Sequence, residues 1–565
     1  MITIKAQRIT SRLASGLCLA ALLPFTAIVW ASAQGGPDDT ALRGIIKTQG
    51  LKGDAILSRL QPIPPMDDPM VVLGKALFWT KALSADREVA CVTCHHPFLG
   101  FGDNLPLPVG VDAEFSDRLG PGRKRKKTDL HQTPRFGKGD APMPRNSPTL
   151  IGLAFWDQSI TWDGTVFSDT GTPGMSGVDG RIIAPVDTPP VRNMFTHPML
   201  PRSDFMTYEE KWDKGMPISS GHGLLPAAVN AAMRGRAFGA KTAPTMATHT
   251  DLEVRQALAA VIGKYGTHPE LSPLAKNEWE PLFRKGFNDP SGPLDKLVTA
   301  NKISVAIAAY ERTMTFTNTP WKAYVQGKDD AITASAKRGA LLFYRPIAEG
   351  GANCASCHRG DFFTDEQYWV VAIPQFGRGK TDINNRKDAI DDWGRAHVTG
   401  NRDDKWAYRT QTLLGVEVTG PWGHDGVFNT LEEIVRHHLN PEKSIKAFDW
   451  KKVSLDGGPL QLNFADNHTQ NALARLKEQR KQGRPGVLQD VDLNDAQVND
   501  LVEFLKAQTD PCLKDKDCLA KWIPGRNDPD PDGLRLCAKD GTGKELWAPS
   551  CAPARSGTAA TLPRR

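Results

Sequence analysis

Apolar residues recur every three to four positions in several stretches of the chain: Asp251 to Tyr265, Lys296 to Thr313, Ile332 to Tyr344, Leu431 to Leu439 and Ala496 to Gln508. That period marks helices with one buried face. Period-two alternation, the mark of half-buried strands, is scarce, so a mainly α protein is expected. Thr430 followed by Glu433 forms a capping box that opens the Leu431 to Leu439 stretch. Leu431, Ile434, Val435, His438 and Leu439 then share one helical face, so His438 is expected to project from the apolar stripe and His437 to turn away. The 51 glycines and 42 prolines favour long connections around these helices.

The first 33 residues break this pattern. Lys5, Arg8 and Arg12 precede an apolar run from Leu13 to Trp30, which ends in Ala31-Ser32-Ala33. This reads as a cleaved export signal, with Gln34 as the mature N-terminus and a periplasmic destination. Pro24 interrupts the run, which argues against the alternative of an uncleaved anchor, and Cys18 follows Leu17 rather than the small residue of a lipidation site. No later stretch is apolar enough to span a bilayer. Cleavage would take the net charge from +6 to +3. The run Arg123-Lys124-Arg125-Lys126-Lys127 stands out from that near-neutral balance. It reads as a solvated loop or as a docking patch for an acidic partner. No aromatic residues interleave with it as a nucleic-acid groove requires, so no nucleic-acid partner is expected.

Past Gln508 the composition turns to Asp, Pro and Gly with Cys512, Cys518, Cys537 and Cys551. In an exported chain this even set reads as two disulfides. Three connectivities are possible, and neighbouring pairs, Cys512 with Cys518 and Cys537 with Cys551, are preferred. A further metal site is the competing reading, disfavoured because no His lies among them.

The other cysteines carry the chemistry. Cys91-Val92-Thr93-Cys94-His95 and Cys354-Ala355-Ser356-Cys357-His358 are both Cys-x-x-Cys-His strings, the spacing that attaches a c-type haem through two thioethers and offers the adjacent imidazole to the iron. A redox dithiol needs no trailing His, and a zinc site wants further paired ligands. Two covalent haems are therefore expected. For the second, His438 is the candidate for the opposite axial position. For the first no comparable ligand emerges. His96 adjoins the proximal residue, while His131, His197, His222, His249 and His268 lie in loops or ambiguous contexts, so an open or water-occupied iron is expected.

With these strings stand Leu73-Gly74-Lys75-Ala76-Leu77-Phe78, Leu83-Ser84-Ala85-Asp86, Phe101-Gly102-Asp103, Arg145-Asn146-Ser147-Pro148-Thr149-Leu150, Trp162-Asp163-Gly164, Ala309-Tyr310-Glu311-Arg312-Thr313 and Gly420-Pro421-Trp422-Gly423-His424-Asp425-Gly426. In this order they resemble the bacterial di-haem cytochrome c peroxidase family, in its MauG-like branch, from about Leu57 to Gln508. The resemblance implies two cytochrome c-like haem domains. Residues 34–325 would form a peroxidatic unit and 326–510 an electron-transfer unit, after the signal at 1–33 and before the Cys-containing tail at 511–565.

The resemblance also implies roles. Trp162 matches the tryptophan placed between the haems as an electron relay. His438, fourteen residues beyond His424, stands where the family has a Met or Tyr ligand. The family's acid-base Glu and its upstream Gln are matched only loosely, by Asp204 and Asn193, with Asp187 in reserve because the inserted segment Val166 to Thr188 blurs the register. A calcium ion between the domains would use Asn146 and the stretch with Thr410 and Thr412, hard oxygens that suit it. The activity implied is reduction of H2O2 by electrons from a small donor such as a cytochrome c or a copper protein; a homodimer is left open. A MauG-like or rubber-oxygenase-like oxidase and a non-catalytic electron carrier are the alternatives.

Overall fold

The computed structural model describes residues 36–55, 63–84, 87–110, 113–124, 145–156, 159–164, 166–168, 182–183, 251–266, 271–376, 392–399, 401–450 and 465–551. The expected signal, Arg125 to Lys127, Asp187, Asn193, Asp204 and the five loop histidines named above lie outside the described residues.

Each Cys-x-x-Cys-His string follows one helix and is backed by a second, later one. Pro69–Trp79 precedes Cys91 and packs on Ala300–Glu311; Ala334–Tyr344 precedes Cys354 and packs on Asp495–Lys506. Both crossings depend on a glycine. A Cβ at Gly74 would collide with the Ala306 carbonyl, and one at Gly339 with the Asp500 carbonyl. Aromatic side chains fill the space around the crossings: Phe78 meets Tyr310 at 5.2 Å between centroids, and Phe343 meets Phe504 at 5.0 Å. Each fully buried ring contributes about 1.5–3 kcal/mol of burial free energy.

The fold is mainly α, as the periodicity implies. The Leu431–Leu439 helix has the expected bounds, and Asp251–Gly263, Ala334–Tyr344 and Asp495–Lys506 match theirs within a few residues. The Lys296 to Thr313 run is instead two helices, Leu294–Leu297 and Ala300–Glu311. Thr299 divides them, because its hydroxyl accepts from Lys302 N at 3.1 Å and caps a new start. Helices such as Pro37–Gln49 and Ala465–Lys481 lie outside the periodic stretches. The short strands Ser159–Ile160, Val166–Ser168 and Ile182–Ile183 form an antiparallel sheet with Phe167 opposite both Ser159 and Ile183. Among the described residues no helix is long and apolar enough to cross a membrane.

The tail contains the preferred disulfides, Cys512–Cys518 and Cys537–Cys551. It straps the first haem-string region: Leu536 N donates to Trp79 O at 2.9 Å, Trp522 Nε1 to Thr313 Oγ1 at 2.9 Å, and Leu119 N to Lys539 O at 2.8 Å. Asp532 accepts from both Thr80 Oγ1 and Trp279 Nε1. Arg123 departs from the solvated-run reading. It is 1% exposed and donates to the carbonyls of Val109, Gly110, Ser116 and Arg118, so it closes a loop from within.

Candidate haem sites and their comparison with known proteins

Both motif imidazoles are oriented in the same way. His95 Nδ1 lies 3.0 Å from Phe101 O, and His358 Nδ1 lies 3.1 Å from Phe363 O. A carbonyl at Nδ1 fixes the proton there and leaves the Nε2 lone pair for a metal. Burial pushes both imidazoles down to about 4, so they are neutral, as ligation requires. Each string begins with a single 3-10 turn, Cys91–Thr93 and Cys354–Ser356, and its cysteines remain unpaired.

At the second string a cavity of about 260 Å³ opens beside Cys354, Cys357 and His358. His438 lines it from the Leu431–Leu439 helix, with Nδ1 2.9 Å from Ile434 O. The capping box forms as the sequence implies: Glu433 N donates to Thr430 Oγ1 at 3.1 Å, and Thr430 N to Glu433 Oε2 at 3.0 Å. His437, however, does not turn away to solvent. It is fully buried, with Nε2 2.8 Å from Val371 O and Nδ1 3.2 Å from Ser444 Oγ. The following Pro441–Ala447 helix supplies Ser444, so this face of the helix becomes an interface.

Trp162 lines the same cavity, and its indole Nε1 donates to Asn146 O at 2.9 Å. The next residue, Ser147, places Oγ 3.4 Å from His95 Nδ1. The two sites are thus joined by a short path through Ser147, Asn146 and Trp162. Three arginines hold the Trp162 turn. Arg145 pairs with Asp163 at 2.8 Å and bidentately with Asp392, Arg395 donates to Asp163 O and Gly164 O, and Arg409 Nε donates to Thr161 O. Burial alone would lower the Arg145 pKa, but Asp163 and Asp392 outweigh it and hold it well above its usual value. Thr161 takes φ +76°, a strained value for a β-branched residue that persists where the surroundings over-determine it. Local residue spacing carries no sign of this clamp.

Asn146, Thr410 and Thr412 also line the cavity. Asn146 Nδ2 donates to Leu105 O at 2.8 Å, Thr410 O accepts from Thr364 Oγ1 at 2.7 Å, and Thr412 Oγ1 donates to Phe362 O at 2.6 Å. Near the first string His96 is buried, with Nδ1 accepting from Phe98 N at 3.1 Å, which ties it to its own turn. Asp103 is buried, and desolvation pushes its pKa up to about 7. Cys537, Glu545 and Cys551 cluster within 4.8 Å, but the two sulfurs are joined in a disulfide, which consumes them as metal ligands.

The sequence profile of the di-haem cytochrome c peroxidase family matches residues 68–330. The methylamine utilization protein MauG of Methylorubrum extorquens is 25% identical over 378 residues, 66% of this chain and 70% of its own length. Over residues 68–330 the chain matches the di-haem cytochrome c peroxidase family. It is an oxidoreductase, as its relatives named cytochrome c peroxidases are. Cytochrome c551 peroxidase of Pseudomonas aeruginosa is 22% identical across 66% of the chain and 72% of that protein. Among solved structures, a MauG-like protein associated with microbial copper homeostasis is 18% identical with a TM-score of 0.43, covering 82% of this chain and 95% of its own. The di-haem peroxidase BthA from Burkholderia thailandensis is 19% identical with a TM-score of 0.41, covering 84% and 93%.

The family implies two c-type haems, and the second cavity suits one. Free thiols and the imidazoles of His358 and His438 face it, and its lining holds buried polar atoms with no partner among the described residues: Arg409 Nη1, Gln411 Nε2 and both nitrogens of His424. Such atoms are costly unless a polar ligand group meets them.

Proposed function

We propose that this chain is an exported di-haem peroxidase that reduces H2O2 to water, taking two electrons and two protons per peroxide from a small donor and solvent. The observation that carries the reading is the pair His358 and His438 on one cavity, each with Nδ1 on a backbone carbonyl. Cys91 and Cys94, and Cys354 and Cys357, would hold the two haems, whose irons supply one-electron transfer and peroxide activation.

The chain's own residues divide the labour. His95, steered by Phe101 O, would hold the first haem, which would supply peroxide activation. His358 and His438 would both hold the second haem, which would supply electron transfer rather than peroxide binding. Asp204 carries the proton from the inner to the outer peroxide oxygen, with Asp187 as its reserve and Asn193 as the orienting amide. Trp162 relays electrons between sites from a turn that Arg145, Arg395 and Arg409 keep in place. Asn146 and Thr410, with Thr412, offer neutral oxygens to a calcium ion at the junction. Units at 34–325 and 326–510, and periplasmic delivery by residues 1–33, complete the proposal.

Low-temperature EPR of the ferric protein tests it. The expected spectrum has one high-spin and one low-spin signal, and His438→Ala alters the low-spin one alone. Two low-spin signals that persist in the variant, with no response to peroxide, would point to an electron carrier.

A further inference from the structure

Arg409 is a buried cation with no ion-pair partner among the described residues. It is 5% exposed, and its guanidinium carbon sits 3.4 Å from the centre of the Trp156 ring. Nε donates to Thr161 O at 3.0 Å and Nη2 to Gln411 Oε1 at 3.3 Å, while Nη1 is buried without an acceptor. Glu366, Asp163 and Tyr368 act on it through space, yet among the described residues none forms an ion pair with it. Gln411 repeats the deficit, with Oε1 engaged by Arg409 and Nε2 buried and unmet.

Both residues line the second cavity. Leaving a buried charge unpaired is strongly destabilising, so the occupant of this cavity has to bring negative charge to Nη1. A haem carries two propionate carboxylates, and guanidinium geometry suits them.

We propose that Arg409 and Gln411 anchor a propionate of the second haem and tie it to the Trp162 turn. The inference rests on the reading that this cavity holds that haem. The tie is direct, because Arg409 N also donates to Trp162 O at 2.9 Å while its side chain holds Thr161 O. Arg409 is thus a positioning residue: one side chain sets the haem edge and the relay turn together. Its charge also favours the reduced iron, which carries one positive charge fewer than the oxidised iron.

The test uses the intact protein with two haems per chain, verified by pyridine haemochrome. Spectroelectrochemical titration of Arg409→Gln is expected to shift the low-spin haem's reduction equilibrium about tenfold toward the oxidised form, about 59 mV for one electron. Arg409→Lys should recover part of the shift, and the high-spin haem should keep its potential. Resonance Raman should show a displaced propionate bending band in Arg409→Gln and in the milder Gln411→Leu. An unchanged potential and an unchanged band would overturn the proposal. Should Arg409→Gln fail to accumulate, the Gln411→Leu band decides by itself: displaced supports the anchor, unmoved rejects it. The parent reading fails separately, in the wild type, if no low-spin signal responds to His438→Ala.

Discussion

An imidazole becomes a metal ligand or a structural hydrogen-bonding group according to what its two nitrogens meet, and neighbouring residues here take opposite parts. His438 lines the cavity with Nδ1 on Ile434 O, whereas His437 has both nitrogens engaged, by Val371 O and Ser444 Oγ. His437→Leu is therefore expected to cost about 1–3 kcal/mol, because it strands a buried carbonyl and a hydroxyl. The low-spin EPR signal should stay where it is; urea unfolding and the spectrum, taken on the same sample, check both halves. A displaced signal would instead make His437 the ligand. The i, i+3, i+4, i+7 pattern was enough to put His438 on the apolar face. It could not disclose that His437 is buried, since Ser444 comes from the next helix and Val371 from a segment more than sixty residues earlier. The Arg145, Arg395 and Arg409 clamp was hidden for the same reason: its acceptors are contributed by distant segments, and periodicity sees only local order.

Each helix pair beside a haem string depends on one close crossing. At Gly74 the Ala306 carbonyl lies where a Cβ would stand, so Gly74→Ala must move a backbone, at a cost of about 1–3 kcal/mol. Gly44, on the exposed side of Pro37–Gln49, has nothing within 4 Å of that position. Gly44→Ala should stabilise by about 0.5–1 kcal/mol through helix propensity alone. Chemical denaturation of the two variants checks the contrast in sign, and equal effects would remove close packing as the reason for Gly74. Periodicity captured the buried helices but merged Leu294–Leu297 with Ala300–Glu311, because a Thr cap is compatible with an unbroken apolar repeat. Pro37–Gln49 stayed unseen. Its burial is confined to a few positions, Asp39 among them, and that residue reads as polar surface until its partners are known.

At the scale of the whole molecule the first and last described segments cross over. The tail straps the first string's region, while the N-terminal helix packs on Ala334–Tyr344, beside the second string. Asp39 holds that crossing: it accepts from Tyr324 OH at 2.7 Å, from Lys337 Nζ at 2.7 Å and from Gly36 N at 3.1 Å. Desolvation would raise its pKa, but the bonds from Lys337 and Tyr324 outweigh it and hold the carboxyl below 3.8. A carboxyl whose folded pKa lies below its unfolded value contributes stability above the unfolded value and loses it as pH falls through the folded one. The helix should therefore stay protected from neutral pH down to about 4, the unfolded range for Asp, and release only in stronger acid. Hydrogen exchange of 37–49, corrected for intrinsic rates, should show this step. In Asp39→Asn, which cannot ionise, the helix should exchange faster at pH 7 and the acid step should vanish. An acid step that survived in Asp39→Asn would assign the crossing to another group, since titration of the remaining carboxylates would then be enough to open it.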